Sequence, residues 1–234
     1  MSKSVENKKT IKNRRLFSVL LDVFIIIVLV CVVALDVALF LKNIYYKQFW
    51  VNGESMYPTL NGEVILPDGS KADENAGNSG VGYQHLDYGL YDDHKSTLNK
   101  LKRFDVVITS FYEDDDSEKI KRLVGMPNET IKFNENGDLF VKVGNEFKLI
   151  EQPIEDKYKV AGTYNTHEIT LGENEYYVLG DNRGHSSDSR SHGPIKKSYI
   201  VGKAVAIIGY CTAIEENGQL TNSKVKYKWP RLIK

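Results

Sequence analysis

The chain has 234 residues, enough for one membrane segment and one folded domain of ordinary size. Lys+Arg and Asp+Glu both number 31, and residues 1–15 hold six basic side chains and one acidic one. The rest of the chain is therefore slightly acidic, which argues against a nucleic-acid-binding domain. The only two cysteines, Cys31 and Cys211, offer neither a disulfide framework nor a zinc-binding spacing.

The first predicted element is an apolar segment over residues 16–41, with the sequence LFSVLLDVFIIIVLVCVVALDVALFL. A helix needs roughly 20 mostly apolar residues to cross a bilayer, so this segment is long enough. Asp22 and Asp36 lie near its two ends, where water is within reach. A cleaved secretory signal is the alternative, but the apolar stretch is longer than a signal core and no small-x-small cleavage site follows. We therefore predict an uncleaved transmembrane helix.

The charges around this helix predict its orientation. Residues 1–15 are basic, and the cytoplasmic flanks of membrane helices are enriched in Lys and Arg. We expect residues 1–15 to be cytoplasmic and residues 42–234 to form the extracytoplasmic domain of a single-pass membrane protein. The aromatic stretch NIYYKQFW, which begins this domain, is typical of a membrane–water interface.

Beyond the helix, the hydrophobic pattern changes to a period of two, which is typical of β-strands. The predicted strands are 104–112, 119–126, 130–134, 138–143, 175–180 and 203–210. Asn136-Gly137 is a hairpin turn signal between two of them. No helical pattern of comparable length follows the anchor, so we predict a mainly antiparallel β domain.

Residues 66–100 break the strand pattern. They are rich in Gly, Asn, Asp and Ser. We predict that they form a long surface loop insertion, mobile in part.

The stretch GESMYPTL raises the question of whether Ser55 is a nucleophile. Gly53 permits close approach of a backbone, and Pro58 fixes the chain locally. The second glycine of the G-x-S-x-G nucleophile elbow is missing, and a serine in such a turn is most often structural. The motif alone leaves both interpretations open.

A serine nucleophile needs a base, and two kinds of residue are available. His185 and His192 flank Asp188 in GDNRGHSSDSRSHG, so a Ser-His-Asp triad is one hypothesis. A buried lysine is the other, because burial lowers the pKa of an amine towards neutrality. In KIKRLVG, the alternation of side chains places Lys119 and Lys121 on the same face of a strand, and the pattern does not choose between them.

The stretch 180–193 is the densest polar segment of the chain. Composition alone favours a solvated turn. A buried hydrogen-bonded scaffold around a site, formed by Asp181, Asn182, Arg183, Asp188, Ser189 and Arg190, is the alternative.

Four separated stretches, GESMYPTL, RFDVVITS, KRLVGMP and GDNRGHSSDSRSHG, resemble in order and character the motifs of the bacterial type I signal peptidase family. The anchor, the hairpin NGDLFVKVGNE and the strand IVGKAVAI match as well. The resemblance covers nearly the whole chain except residues 66–100, and the single anchor is typical of Gram-positive members. It implies a mainly β catalytic domain with a smaller β extension at about residues 133–174.

The resemblance implies roles for individual residues. Ser55 is similar to the family's serine nucleophile and Lys121 to its lysine general base, while Ser186 matches a serine that orients the lysine. The implied supporting charged residues are Arg122, Asp181, Arg183, Asp188 and Arg190. The implied substrate-binding residues are Met56, Pro58, Val106, Val107 and Ile108.

The implied activity is removal of N-terminal signal peptides from exported preproteins by a membrane-anchored serine endopeptidase. The expected partners are signal peptides and the lipid bilayer, with no nucleic acid, no metal and no other cofactor. An anchored homologue that is inactive, or devoted to a few surface proteins, is the alternative. Self-cleaving repressors share a Ser-Lys dyad, but they carry a DNA-binding domain where this chain has its anchor.

The sequence departs from the family pattern at three points. Phe104 stands where glycine is usual, and Asn128-Glu129 replaces Gly-Asp. Gly53 has no hydroxyl, whereas some family members place a serine there as a second oxyanion-hole donor. Asn tolerates positive φ, so we expect the turn at Asn128 to be kept.

Overall fold

A computed structural model describes residues 17, 19–37, 45–73, 80–112, 117–223 and 225–233. The chain divides into two compact units, Met1–Tyr45 and Tyr46–Lys234. The basic segment predicted at residues 1–15 lies outside the described residues, as do residues 38–41 of the predicted anchor.

The first unit contains one long helix, α1, described over Val19–Val37. Its sequence has neither glycine nor proline, and apolar side chains surround it on all sides. The apolar stretch of this helix is not buried in the described structure. Its length and composition suffice to cross a membrane. The predicted apolar helix is therefore confirmed.

The second unit is built almost entirely from short strands. The strands in its described part are β1 (Lys47–Trp50), β2 (Leu86–Asp92), β3 (Val106–Thr109), β4 (Lys119–Gly125), β5 (Thr130–Phe133), β6 (Leu139–Val143), β7 (Glu146–Ile150), β8 (Ile169–Thr170), β9 (Glu175–Leu179), β10 (Ile195–Lys196), β11 (Ile200–Cys211), β12 (Ala213–Glu216), β13 (Gln219–Asn222) and β14 (Lys226–Leu232). The short helices are α2 (Lys95–Leu98) and α3 (Ser189–His192), with single 3-10 turns at Asp156–Tyr158, Arg183–His185 and Lys197–Tyr199.

The strands form one large sheet, one small sheet and a hairpin. The large sheet has the order β1-β2-β11-β3-β4-β9-β10, with β14 also paired to β11, and curls into half a barrel. Register shifts in β11 and β4 add local twist to this sheet. The small sheet has the order β7-β6-β5-β8, and β12 pairs with β13. All pairings are antiparallel, so the predicted fold class is confirmed.

Most of the predicted strands appear close to their expected places. β4, β5, β6 and β9 differ from the predicted segments by one residue, whereas β3 is shorter and β11 longer than predicted. The Asn136-Gly137 turn joins β5 to β6, with Gly137 at a φ of 87°. Asn128 has a φ of 63°, so the turn that replaces Gly-Asp does use the left-handed region.

The prediction of a surface loop over residues 66–100 is wrong for residues 86–92. These residues form β2, which lies between β1 and β11 inside the large sheet, with Leu86, Leu90 and Tyr91 buried. The sequence LDYGLYD hides this strand because Gly89 and two aspartates interrupt its apolar pattern. Residues 74–79 of the predicted insertion lie outside the described residues.

Gly89 is required in β2 by close packing. A Cβ at this position would lie 2.7 Å from the Phe49 ring and 2.8 Å from the Ala206 carbonyl oxygen, which are distances that real Cβ atoms do not show. The missing side chain therefore lets Phe49 of β1 lie across the neighbouring strand. The glycine that weakens the strand signal in the sequence is what allows the strands to pack.

We predict that Gly89→Ala lowers the free energy of unfolding by about 1–3 kcal/mol, because the added methyl overpacks the contact with Phe49. Urea unfolding of the detergent-solubilised full chain, followed by fluorescence, measures the change. Gly80→Ala is the matched control, since nothing lies within 4 Å of a Cβ at that position. Equal stability of the two variants would contradict the packing described here.

Candidate active site

Ser55 lies in a loop that follows β1, here called the Ser55 loop (residues 51–61). Two backbone hydrogen bonds shape it: the Tyr57 N–H donates to the Glu54 carbonyl at 2.9 Å, and the Leu60 N–H to the Met56 carbonyl at 2.9 Å. Gly53 has a φ of 134°, which an L-residue rarely adopts. These turns set the half-buried Ser55 at the surface of the domain.

Apolar packing and buried hydrogen bonds both hold the Ser55 loop in place. Met56 is fully buried in an apolar cluster that includes Leu60 and Val106. The buried Asn61 side chain donates to the carbonyls of Val51 at 3.0 Å and Gly53 at 3.1 Å. The loop therefore cannot shift without breaking buried contacts.

Lys121 of β4 reaches Ser55 directly. Its Nζ donates to Ser55 Oγ at 2.9 Å and to the Ile120 carbonyl at 3.0 Å, and the residue is 3% exposed. Lys119, two residues earlier, instead donates to Ser117 Oγ at 2.7 Å on the exposed side. Of the two lysines that the strand pattern left equivalent, the fold brings Lys121 to the serine.

The environment of Lys121 favours its neutral form. The pKa of the amine is lowered from 10.5 to about 8, chiefly by burial and in smaller part by the nearby Lys119 charge. Asp188, Asp181 and Glu54 act in the opposite direction and raise the pKa. Burial is the largest of these effects, and with a pKa of about 8 roughly a tenth of the amine is uncharged at pH 7, far more than for an exposed lysine.

Asp181 forms a buried ion pair with the residue that follows Lys121. Arg122 donates from Nε to Asp181 Oδ1 at 2.8 Å and from Nη2 to Oδ2 at 2.6 Å, and both side chains are almost completely buried. Arg122 Nη1 also donates to the Phe104 carbonyl at 2.8 Å. Phe104 presents this carbonyl from a backbone φ of 72°, the conformation that explains why glycine is usual there.

Asp188 forms a second pair, with Arg190. Arg190 donates from Nε to Asp188 Oδ1 at 2.8 Å and from Nη2 to Oδ2 at 2.9 Å, and the Gly180 N–H adds a bond of 3.1 Å. Burial acts to raise the pKa of Asp188, but these donors outweigh it and the pKa lies below its usual value. The carboxylate therefore stays ionised and paired.

Arg183 connects this polar loop to the segment between β7 and β8. It is buried and donates to the Gly180 carbonyl at 2.8 Å, to Gln152 Oε1 at 2.9 Å and to the Tyr164 hydroxyl at 3.3 Å. Burial lowers the pKa of its guanidinium. Sequence reasoning missed Gln152 and Tyr164, since neither belongs to a recognisable motif.

Ser186 does not make the contact that the resemblance implied. Its Oγ is buried without a well-formed hydrogen bond, and no bond to Lys121 is present in the described structure. The hydroxyl still helps to lower the pKa of Asp188. A Cβ on Gly180 would lie 2.2 Å from Ser186 Oγ and 2.5 Å from the Ser55 carbonyl oxygen, so this glycine permits their close approach.

The two histidines of the triad hypothesis, His185 and His192, do not form a hydrogen bond with Ser55 in the described structure. His192 bonds through Nε2 to Ser187 Oγ at 2.6 Å and through Nδ1 to the Tyr112 hydroxyl at 2.8 Å. His185 is exposed. In the described part of the chain, neither histidine is bonded to Ser55, so the geometry favours a lysine base.

A groove with a volume of about 480 Å³ runs past Ser55. Its walls come from β1 with the start of the Ser55 loop, and from residues 118–121 at the start of β4. Ile108 lines this groove, together with Ile120. Ser55 and Lys121 both line this groove.

The other expected substrate-binding residues lie elsewhere. Met56 and Val106 belong to the buried cluster under Ser55, and Val107 points to the opposite face of the sheet, where it packs with Leu123. Pro58 lines a separate pocket of about 450 Å³ beside β14. Of the five residues expected to contact substrate, the groove therefore includes Ile108, and the structure does not bring the others to its surface.

One group of side chains has the composition of a metal site. Asp92, Asp93 and His94 offer ligand atoms within 4.8 Å of one another. Lys47 pairs with Asp93 at 2.7 Å, and the Thr97 hydroxyl donates to Asp92 at 2.6 Å. These charges already have protein partners, and the group lies outside the set of residues that lines the Ser55 groove.

Comparisons with known proteins identify the family of this chain. A family model described as "Signal peptidase, peptidase S26" matches residues 21–209. Signal peptidase I V of Bacillus subtilis is 29% identical over 178 residues, covering 73% of this chain and 90% of that protein. Signal peptidase I T of the same organism is 30% identical over 176 residues, covering 73% and 78%.

Two further proteins extend the comparison. Signal peptidase I of Streptococcus pneumoniae is 28% identical over 195 residues, covering 67% of this chain and 80% of that protein. The crystal structure of a signal peptidase I from Enterococcus faecalis is 26% identical, with a TM-score of 0.35, and covers 44% of this chain and 96% of that one. Because the family match spans residues 21–209 of 234, the chain belongs to the signal peptidase family of S26 serine peptidases, which remove signal peptides.

Proposed function

We propose that this signal peptidase cleaves its substrates with Ser55 as nucleophile and Lys121 as general base. The observation that carries the proposal is the 2.9 Å contact between Ser55 Oγ and the Nζ of a buried lysine whose pKa lies near 8. A base must lie within hydrogen-bonding reach of the proton it removes and must be partly deprotonated at working pH. Lys121 meets both conditions.

The reaction proceeds in two stages. Neutral Lys121 takes the Ser55 hydroxyl proton while Oγ attacks the scissile carbonyl carbon, and the ammonium then gives that proton to the leaving amine as the C–N bond breaks. Water attacks the resulting ester, Lys121 takes the proton of this water, and Ser55 recovers a proton as the carboxylate leaves. The amine is thus base and acid in turn, and no cofactor or metal enters the scheme.

The groove supports binding of an extended peptide. β9 pairs with β4 from Arg122 onward, so the segment 118–121 borders the groove before this pairing begins. Among the described strands, β1 pairs only with β2, so the groove side of β1 is open as well. A peptide added as a strand between these edges would bring its carbonyl to Ser55, with the Ser55 N–H as an oxyanion donor.

The cellular arrangement follows from the family and the sequence. The anchor keeps the site at a membrane, where exported precursors emerge, so enzyme and substrate both diffuse in two dimensions. We propose that residues 1–15 lie in the cytoplasm and the peptidase domain lies outside, because the basic charges precede α1. The expected partners are signal peptides and lipid, without nucleic acid.

An inactive or narrowly dedicated homologue is the second candidate. The presence of both Ser55 and Lys121 in contact argues against an inactive chain. A dedicated enzyme differs from a general one only in which precursors it cuts, and cleavage of a panel of precursors ending in small-x-small measures that range.

We predict that Ser55→Ala and Lys121→Ala each reduce precursor cleavage by at least about 10³-fold while the protein still folds. Cleavage of a signal-peptide substrate by the purified full chain measures this. Lys142→Ala is the control, because it removes an exposed strand lysine that pairs with Glu168 in the small sheet and lies outside the groove. Normal cleavage by Lys121→Ala would refute the lysine base.

We predict that kcat/KM rises with pH through an apparent pKa near 8. The sign follows from the role: a protonated amine cannot accept a proton, so activity falls about tenfold per pH unit below that value. A pH–rate profile with a soluble peptide substrate measures the acid limb. A limb near pH 6.5, the ordinary histidine range, that vanished in His192→Ala would favour a histidine base instead.

We predict that protease added to intact cells, stripped of their wall, removes a C-terminal epitope and spares an N-terminal one. The basic flank keeps the N-terminus inside. Lysed cells are the control and should lose both epitopes. Loss of only the N-terminal epitope from intact cells would show the opposite orientation.

A further inference from the structure

We propose that Thr59 is a positioning residue that holds Ser55 at its distance from Lys121. This inference rests on the proposed Ser55–Lys121 dyad and adds to it a residue of the Ser55 loop that does not touch the reacting atoms. The argument stands on the hydrogen bonds of the Thr59 hydroxyl and on where their partners lie in the chain.

The Thr59 hydroxyl joins the buried ion pair beside the dyad. Its Oγ1 donates to Asp181 Oδ2 at 2.6 Å and lies 3.4 Å from Arg122 Nη2, which donates to it. Asp181 and Arg122 are 0% and 1% exposed. A bond from a hydroxyl to a buried carboxylate is among the stronger hydrogen bonds in proteins, because the acceptor is charged and no water competes.

Thr59 and its partner Arg122 each lie close in sequence to one residue of the dyad. Thr59 follows Ser55 by four residues in the Ser55 loop, and Arg122 directly follows Lys121 in β4. The hydroxyl therefore links the segment that carries the nucleophile to the segment that carries the base. The link passes through a rigid, bidentate ion pair rather than through a flexible side chain.

Residues 181 and 182 hold the Ser55 loop at two points. The Asn182 N–H donates to the Ser55 carbonyl at 3.0 Å, next to the Asp181 carboxylate that accepts from Thr59. Consecutive residues thus fix Ser55 by its backbone and Thr59 by its side chain. On the exposed side, Arg231 Nη1 donates to the Thr59 carbonyl at 3.0 Å and restrains the backbone but not the hydroxyl.

Loss of the Thr59 hydroxyl would change the distance between Ser55 Oγ and Lys121 Nζ. Valine has nearly the shape of threonine but offers a methyl group to Asp181, so the loop loses its side-chain hydrogen bonds to the Asp181–Arg122 pair. A displacement of about 1 Å between reacting groups costs on the order of 100-fold in rate. The effect should fall mainly on kcat, because the displaced group is the nucleophile, whereas Phe49, Trp50 and Ile120 of the groove wall belong to β1 and β4 and remain in place.

The displacement should also change the titration of Lys121. A loosened loop admits water to the amine, and burial is the main cause of its lowered pKa. The charged groups that act on the amine are Asp188, Asp181 and Glu54, which raise its pKa, and Lys119, which lowers it. None of these is removed by the valine substitution, so the pKa should move up towards the ordinary value for lysine.

The experiment compares Thr59→Val, Thr59→Ser and Thr109→Val in the full chain in detergent, with a signal-peptide substrate. Thr109 is the matched control, since it is fully buried and its hydroxyl donates to the Tyr199 carbonyl at 2.9 Å, away from the Ser55 loop. We expect Thr59→Val to lower kcat about 10- to 100-fold with KM within about twofold, and to move the acid limb to higher pH. Thr59→Ser and Thr109→Val should keep the acid limb of the pH–rate profile at its wild-type position. Their kcat should stay within about threefold of the wild-type value.

Two results would overturn the proposal: wild-type kcat and acid limb in Thr59→Val, or an equal loss of kcat in Thr59→Val and Thr109→Val. Thr59→Ala gives the same comparison if the valine variant does not fold. The failure of the dyad is distinguishable, because it would appear as activity in Lys121→Ala. Inactive Ser55→Ala and Lys121→Ala beside a fully active Thr59→Val would leave the dyad standing and remove only the role of Thr59.

Discussion

The site depends on removing water from one amine. Lys121 is 3% exposed, and its burial competes with two aspartates, Asp181 and Asp188, that favour its charged form. Free carboxylates so close to an amine would keep it protonated. Each of them is instead bound by an arginine, Arg122 on Asp181 and Arg190 on Asp188.

The arginine partners therefore have an electrostatic consequence as well as a structural one. A carboxylate that already faces a guanidinium has a weaker net field at a third group than an isolated charge. With both aspartates paired, burial remains the largest influence on the Lys121 amine, and its pKa falls to about 8. Buried ion pairs are expensive to form, and here further hydrogen bonds accompany them: the Gly180 N–H and the Thr59 hydroxyl donate to the aspartates, and the Phe104 carbonyl accepts from Arg122. The interpretation of residues 180–193 as a solvated turn does not fit this burial.

The sequence predicted the parts of the fold that follow local rules. The period-two pattern identified β4, β5, β6 and β9, and Asn136-Gly137 identified a turn. The same rule failed for β2, because Gly89 breaks the pattern for a reason that lies in another strand, where the Phe49 ring takes the space of a side chain. A requirement set by a neighbouring strand cannot be read from the pattern of one strand.

In the site, too, the sequence predicted some residues, and others are identified only by the fold. Alternation placed Lys119 and Lys121 on one face and could not separate them, and the resemblance to a family chose Lys121. The fold separates them by contact, since only Lys121 reaches Ser55. Thr59, Gln152 and Tyr164 were not predicted, because their partners Asp181 and Arg183 lie far away in the chain and become neighbours only in the folded domain.

The open groove and the buried Lys121 amine together imply how a bound peptide would affect the proposed reaction. Ser55 is only half-buried, so water still reaches the hydroxyl side of the pair when the groove is empty. A peptide lying along the groove would cover this side and exclude that water. Further desolvation lowers the pKa of an amine, so the neutral fraction of Lys121 would increase when substrate is bound. The binding step would then favour the protonation state that the proposed reaction needs, without any movement of the Ser55 loop.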